Sequence, residues 1–240
     1  VRLIAVIQAR LGSERLPGKV LKPLAGKPVL NHVVDRVRRS GAFADIVVAT
    51  TDRELDDPLA EAAGALGVTV ARGSEDDVLS RFLLALDLVP ADALARVTAD
   101  CPLIDPDVLA AMAERFAAED CDYLSNALVR TYPRGLDAEF LTVAALRKAA
   151  AEGTERHHRE HVTPYIYQNP DRFRIVDFVD REDHSDWRWT LDTEEDYVLL
   201  RQLVEAAGDG FAPYPALARI YSAHPEWHAI NAHIEQKKVS

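Results

Sequence analysis

RLIAVIQ, residues 2–8, is a short apolar run rich in branched side chains, and it breaks at once into ARLGSERLPGK (9–19), a loop with two glycines and a proline. That composition predicts a strand buried on both faces. From Pro28 the pattern changes. Val29, Leu30, Val33, Val34 and Val37 recur at helical spacing, and Gly41 closes the helix. ADIVVATT (44–51) reads as a second strand, followed by a helix from Arg53 to Gly64, and GVTVAR (67–72) as a third strand. SEDDVLSRFLLALDLV (74–89) predicts a helix with Ser74 as its cap, and ALARVTAD (93–100) a fourth strand ending in an acid. Regular alternation of short strands and helices requires an α/β fold, a mostly parallel central sheet flanked by helices. Ligands in such sheets sit beyond the carboxyl ends of the strands. The loops after Gln8 and Ala99 are therefore the places for chemistry.

The second half is less regular. Helices are expected at 105–119, 142–153, 159–167 and 193–208, and strands at 121–128, 172–180 and 187–192, with a turn and an extended segment at 130–141. No repeat or clean linker divides the chain, so residues 1–240 are expected to form one domain, with 125–186 as a substrate or dimerisation lobe.

Composition narrows the function. The 240 residues carry Lys+Arg 28 against Asp+Glu 39, a formal net charge of -11. Such a surface disfavours nucleic acid and acidic membranes while leaving room for a local cationic site for a small anion. No stretch reads as a membrane span or export signal. Two cysteines, Cys101 and Cys121, make no disulfide framework, and a cytoplasmic setting is expected.

The first loop holds Arg10, Arg15 and Lys19 beside Gly12, Ser13, Pro17 and Gly18. Glycines let backbone amides turn toward a ligand, and three cations beside them supply what a triphosphate needs. A solvated basic turn has the same composition, and neither GxxxxGK[ST] nor GxGxxG is present. Asp100 ends ARVTAD and Asp192 ends WRWTLD, each after an apolar run and before a predicted helix. Both could project from one end of the sheet, and a hard divalent cation takes one or two carboxylates and fills its other positions with water and phosphate oxygens. Helix capping is the ordinary alternative for an Asp there.

Taken together, VIQARLGSERLPGKVLKPLAGKPVLNHVVDRV (6–37), ARGSEDDVLSRF (71–82), VTADCPLIDP (97–106), YPRGLDAEF (132–140), REHVTPYIYQNP (159–170) and RWTLDTEEDYVL (188–199) resemble the SpsF-like spore-coat-polysaccharide branch of the acylneuraminate and KDO cytidylyltransferase superfamily. The likeness runs through the tail HPEWHAINAHI (224–234). It implies a Rossmann-like, glycosyltransferase-A-type nucleotidyltransferase fold, a homodimer, and transfer of CMP from CTP to an acidic sugar or related hydroxyl-bearing small molecule, with Mg2+ as cofactor. It places the backbone of Ala9 and Arg10 near the base, with Gly12 and Ser13 in the same loop. Arg10 and Lys19 then face the phosphates, with Arg15 of the same basic loop expected beside them, Asp100 and Asp192 hold the metal, and Arg72 and Ser74 lie close to the cytosine. The chain departs from the KDO enzymes at Gln8, Cys101 and the 130–185 lobe that selects the acceptor.

That lobe carries YPRGLD and ERHHREH. Arg134 suits a sugar carboxylate, with Tyr132, Asp137, Glu160 and His161 as further acceptor contacts and Glu160 or His161 as a candidate proton acceptor. His157 and His161 share a helix face, but no HExxH motif or cysteine set completes a zinc site. A sugar-nucleotide-dependent glycosyltransferase and a noncatalytic nucleotide-binding protein are the alternative readings. Trp187, Trp189 and Trp227 are expected to pack.

Overall fold

The structure is a computed structural model that describes residues 1–208 and 211–236. In chain order the strands are β1 (Leu3–Gln8), β2 (Pro23–Leu24), β3 (Lys27–Pro28), β4 (Asp45–Thr51), β5 (Thr69–Gly73), β6 (Ala93–Thr98), β7 (Tyr123–Ser125), β8 (Glu139–Thr142) and β9 (Ile175–Asp177). The α-helices are α1 (Val29–Arg39), α2 (Asp57–Ala65), α3 (Val78–Leu88), α4 (Pro106–Ala118), α5 (Val143–Glu152), α6 (Arg156–His161), α7 (Pro164–Tyr167), α8 (Glu194–Ala207), α9 (Tyr214–Ser222) and α10 (His228–Asn231).

Seven strands form one sheet in the order β5-β4-β1-β6-β8-β7-β9. β1 pairs in parallel with both β4 and β6, and β4 in parallel with β5. Ile4, Ala5, Val6 and Ile7 are wholly buried, as a central strand covered on both faces must be. β8 runs antiparallel between β6 and β7, so the sheet is mostly parallel rather than purely so. One face packs against α1, α2, α4, α8 and α9, through residues such as Leu30, Leu59, Leu109, Leu200 and Leu217. The other packs against α3, α5 and α7, through Leu79, Phe82, Leu146 and Ile166. No helix of the described residues is long and apolar enough to cross a membrane.

The first half follows its sequence pattern closely. Helix α3 starts later than expected because Asp77, not Ser74, is its cap: Asp77 accepts from the Ser80 amide at 3.0 Å, while Ser74 Oγ accepts from the Asp77 amide at 3.1 Å. In the second half the expected strands at 121–128 and 172–180 shrink to β7 and β9. WRWTLD (187–192) forms no strand beyond one isolated bridge between Arg134 and Arg188. Its amides are spent on loops instead. Trp189 N–H donates to the Arg134 carbonyl at 2.6 Å, and Leu191 N–H to the Asp100 carbonyl at 2.8 Å. Apolar alternation therefore marked a buried extended segment threaded between two loops, where ladder partners are absent. The tryptophans pack: Trp189 is wholly buried, with its ring centroid 5.6 Å from that of Trp187, and Trp227 stacks on His224.

Gly135 makes this threading fit. Its φ is +110°, and a Cβ there would stand 2.5 Å from the Trp189 carbonyl carbon. Arg134 N–H donates to the Trp187 carbonyl at 2.9 Å, so the YPRGLD turn and the WRWTLD segment lie back to back. Only a residue without a side chain permits that approach. Gly135→Ala should therefore destabilise the protein by at least about 3 kcal/mol through backbone strain and displacement of Trp189. Urea unfolding followed by tryptophan fluorescence measures the loss.

Candidate functional site

Parallel pairing brings the carboxyl ends of β1 and β6 side by side, with Gln8 opposite Thr98. The loop after β1 folds back on itself: Gly18, at φ +70°, donates to the Leu11 carbonyl at 3.0 Å, and Leu11 N–H donates to Asp56 at 2.7 Å. Gly18 is followed directly by Lys19, which the turn points inward. Asp100 follows β6, and the Leu191 amide bound to its carbonyl draws the 187–192 segment alongside.

The result is one compact charge cluster. Lys19 is a buried residue, 9% exposed, and its ammonium donates to Asp100 Oδ2 at 2.9 Å and to Asp192 Oδ1 at 2.7 Å. Arg188 reaches the other Asp192 oxygen at 2.9 Å, and Arg15 stands 3.2 Å from it. Burial alone would push the Lys19 pKa down, but the two carboxylates outweigh it and hold the ammonium above its usual range. Burial would likewise push Asp100 up; the Lys19 charge wins and holds the carboxyl below its ordinary value. Cys101 Sγ lies 3.3 Å from Thr98 Oγ1 and 3.6 Å from Asp100 Oδ1, with its thiol pushed well up by burial and the Asp100 charge. It is a packing and hydrogen-bonding group, not a nucleophile.

Asp192 is held from behind by a residue of the first turn of α8. Asp196, wholly buried, accepts from Arg188 Nε (2.9 Å) and Nη2 (3.1 Å), from the Asp192 and Thr193 amides (2.9 and 3.0 Å) and from Asn231 Nδ2 (2.9 Å). Thr193 and Asp196 also form the capping box of α8; the pairing with Arg188 has no local sequence signal, because nothing nearby in the chain distinguishes a buried Arg188 from a solvated one.

The cluster forms one wall of a cavity of about 580 Å3, within the range of small-molecule sites. The opposite wall comes from β8 and the lobe. Buried Glu139 accepts from Thr163 Oγ1 at 2.6 Å and is bonded by Arg96 and by the Tyr123 hydroxyl, while Arg96 Nη2 donates to Gln8 at 3.1 Å. The sequence reading missed this network too, apart from Gln8 as a departure. Arg130 donates to both oxygens of Asp137, at 2.5 and 3.1 Å. Arg134 also lines the cavity and makes no side-chain hydrogen bond or ion pair among the described residues. Burial and the neighbouring Arg130 push its pKa down.

The other expected site residues divide. Ala9, Ser13, Arg15, Asp137, Glu160 and His161 line the cavity. Arg10 does so as well, yet its guanidinium turns to Glu75 at 3.1 Å. Gly12 stands in the same loop, with Glu75 and Leu55 as its nearest neighbours. Arg72 donates to the Thr51 and Arg53 carbonyls (3.0 and 2.9 Å) and pairs with Asp57, so with Ser74 it ties down the edge loops. Tyr132 lies outside the cavity wall, stacked on Phe178 in an aromatic cluster. His157 and His158 both address the Gln168 side-chain oxygen, at 3.2 and 3.1 Å.

Comparison with known proteins fits this geometry. A family described as cytidylyltransferase matches residues 4–210. The spore coat polysaccharide biosynthesis protein SpsF of Bacillus subtilis is 35% identical over 86% of this chain and 88% of its own length. A 3-deoxy-manno-octulosonate cytidylyltransferase of Trichlorobacter lovleyi is 36% identical, over 48% of this chain and 45% of its own. Among solved structures, a cytidylyltransferase of Leptospira borgpetersenii superposes with a TM-score of 0.91 at 32% identity, covering 99% of both chains.

Removing Asp196 would leave a buried guanidinium without its main counter-charge. Asp196→Ala should cost about 3–5 kcal/mol in urea unfolding. The same substitution should free Arg188 to move, loosening Asp192.

Proposed function

The chain belongs to the cytidylyltransferase family and is a CTP-dependent enzyme, and we propose that it transfers CMP to a hydroxyl of an acidic sugar, releasing pyrophosphate, in the cavity between Lys19 and Arg134. One observation carries the reading: a single ammonium bridges two carboxylates that are far apart in sequence, at 2.9 and 2.7 Å, beside further cations.

Asp100 and Asp192 fit a hard divalent cation, magnesium in this reading. Both carboxylates bond the same ammonium and so face a common point, and no group of three or more His, Cys, Asp or Glu among the described residues forms a self-sufficient cage. A two-carboxylate site completed by water and phosphate oxygens is the type magnesium uses with nucleotides. When bound, the ion neutralises phosphate charge and favours attack at the α-phosphorus.

The protein's own groups do the rest by position and charge. An ammonium and a dication cannot both occupy the space between the carboxylates. The incoming triphosphate offers Lys19 and Arg15 alternative anions, so both turn from the carboxylates to the phosphates and stabilise the departing pyrophosphate. Arg10 is held only by a surface pair, of small energetic weight, and joins them. Arg134, a half-buried guanidinium without an ion-pair partner among the described residues, takes the acceptor carboxylate through its planar fork. The KDO-enzyme relative supports an acceptor of that chemistry. Glu160 and His161 face the acceptor hydroxyls. Burial lowers the His161 pKa, leaving a neutral imidazole able to accept a proton at pH 7. The hydroxyl oxygen attacks the α-phosphorus in line, its proton passes to this neighbour, and pyrophosphate departs.

A panel of nucleoside triphosphates crossed with acidic-sugar acceptors, read by pyrophosphate release and product mass, tests the assignment. The expected pair is CTP with a carboxylate-bearing sugar, giving a CMP adduct. Release of a nucleoside diphosphate from a sugar nucleotide instead would mark a glycosyltransferase. Asp100→Asn should lower kcat/KM by about 100-fold or more; wild-type turnover would remove Asp100 from the metal site. Lys19→Met should do the opposite to metal affinity and the same to rate. Without nucleotide, manganese followed by electron paramagnetic resonance should bind Lys19→Met about tenfold tighter than wild type, because the competing ammonium is gone, while turnover collapses.

A further inference from the structure

Gln8 ends β1, and its neighbours fix which way its side-chain amide points. The side-chain oxygen accepts from Arg96 Nε at 3.3 Å and from Nη2 at 3.1 Å. A guanidinium carries only donors, so it meets the oxygen of the amide and not the nitrogen. The two N–H groups of Nε2 are thereby directed away from Arg96. Nε2 has no hydrogen-bond partner among the described residues. It is not sealed in the core either, since Gln8 is only partly buried and lines the cavity.

Arg96 is itself locked in place. It bonds Glu139, its partner in the β6–β8 register, and Glu139 in turn takes the Tyr123 and Thr163 hydroxyls. Strand alternation puts Gln8, Arg96 and Glu139 on the face that carries Val6, Leu94 and Leu141. The charges of Arg96 and Glu139 offset one another, so this part of the cavity suits a neutral oxygen better than a second anion. His161 and Tyr167, from α6 and α7, also line the cavity, and the charges of Arg96 and Glu139 act on both. The Tyr167 hydroxyl has no hydrogen-bond partner among the described residues. Burial and the Glu139 charge push its pKa up, so it is a neutral donor at pH 7. Arg134 sits apart from this row, in the turn bonded to the 187–192 segment. One molecule in the cavity can therefore meet a cation at Arg134 and a neutral donor at Gln8.

We propose that Gln8 Nε2 donates to a hydroxyl oxygen on the carbon chain of the acceptor, remote from the carboxylate at Arg134, and so selects an acid with a hydroxylated chain over a bare 2-oxo acid. Arg96 is a positioning residue in this arrangement: it holds the amide in the one orientation that offers a donor. The Tyr167 hydroxyl offers a second contact to the same chain. An acid without the hydroxyl leaves Nε2 facing an apolar group or water, at the cost of an unmade hydrogen bond. The inference rests on the reading of an acidic sugar as the acceptor.

Ligand-observed NMR titration with magnesium and CMP present, so that no turnover occurs, tests it on wild type, Gln8→Glu and Gln8→Met. The probes are 3-deoxy-manno-octulosonate, N-acetylneuraminate and pyruvate, the last a 2-oxo acid without a hydroxylated chain. Wild type should bind at least one of the two sugar acids about tenfold more tightly than pyruvate. Gln8→Glu keeps an oxygen for Arg96 and replaces the free donor by an acceptor. It should weaken the preferred sugar acid by about tenfold, leave pyruvate and CMP within about twofold, and melt no lower than wild type, because Arg96 keeps its partner. Gln8→Met, which adds no charge, should weaken the sugar acid by about fivefold. Equal losses for sugar acid and pyruvate, or a loss in Gln8→Glu alone, mark charge repulsion and overturn the proposal. A loss confined to CMP gives the donor to the nucleotide and overturns it as well. Should Gln8→Met fail to fold, Gln8→Glu decides, with pyruvate as its control for charge. A wild type that binds neither sugar acid better than pyruvate overturns the acidic-sugar reading and the inference with it. A wild-type preference that survives in both variants overturns only the inference.

Discussion

The ion bridge from Lys19 to Asp100 and Asp192 is the constraint around which the catalytic end of the sheet is organised. Two carboxylates brought together away from water repel each other, and a cation between them offsets that repulsion. Lys19 supplies that cation in the nucleotide-free protein, which lets the site be folded and charged before any substrate arrives. The same ammonium is also the group best placed to follow the phosphates. One side chain thus stabilises the empty site and has a second role once it fills.

The bridge depends on backbone contacts made elsewhere. Leu191 binds the Asp100 carbonyl, and Trp189 binds that of Arg134, so the 187–192 segment ties the loop after β6 to the YPRGLD turn. Gly135 allows the close approach. Asp196 then fixes Asp192 from behind, directly through the Asp192 amide and indirectly through Arg188. Asn231 of α10 donates to Asp196 and to the Arg188 carbonyl, so the C-terminal helices support the charge cluster without touching the cavity.

The opposite wall follows a different rule. Glu139 and Arg96 satisfy one another and three neighbours, making a rigid polar floor. Arg134 is a cation without such a match among the described residues, and it lines the same cavity. A protein keeps unmatched buried charge chiefly where a ligand completes it. Paired groups shape the cavity, while Arg134 lines it with its charge unmatched.

Much of this was legible in the chain itself. Strand-and-helix alternation over residues 2–100, the cationic glycine loop, and aspartates at the ends of apolar runs are local patterns, set by periodicity and backbone preference, and they determined the fold class and the end of the sheet where chemistry belongs. Tertiary structure alone decided the pairing: Lys19 goes to the aspartates, Arg10 to Glu75, Asp137 to Arg130, and Tyr132 to an aromatic cluster outside the cavity. It also decided that WRWTLD threads between loops instead of joining the sheet, and that Asp196 binds Arg188 and the Asp192 amide. The reason is physical. Hydrophobic periodicity acts over a few residues, whereas the partner of a buried charge is whichever distant segment the fold brings within about 3 Å.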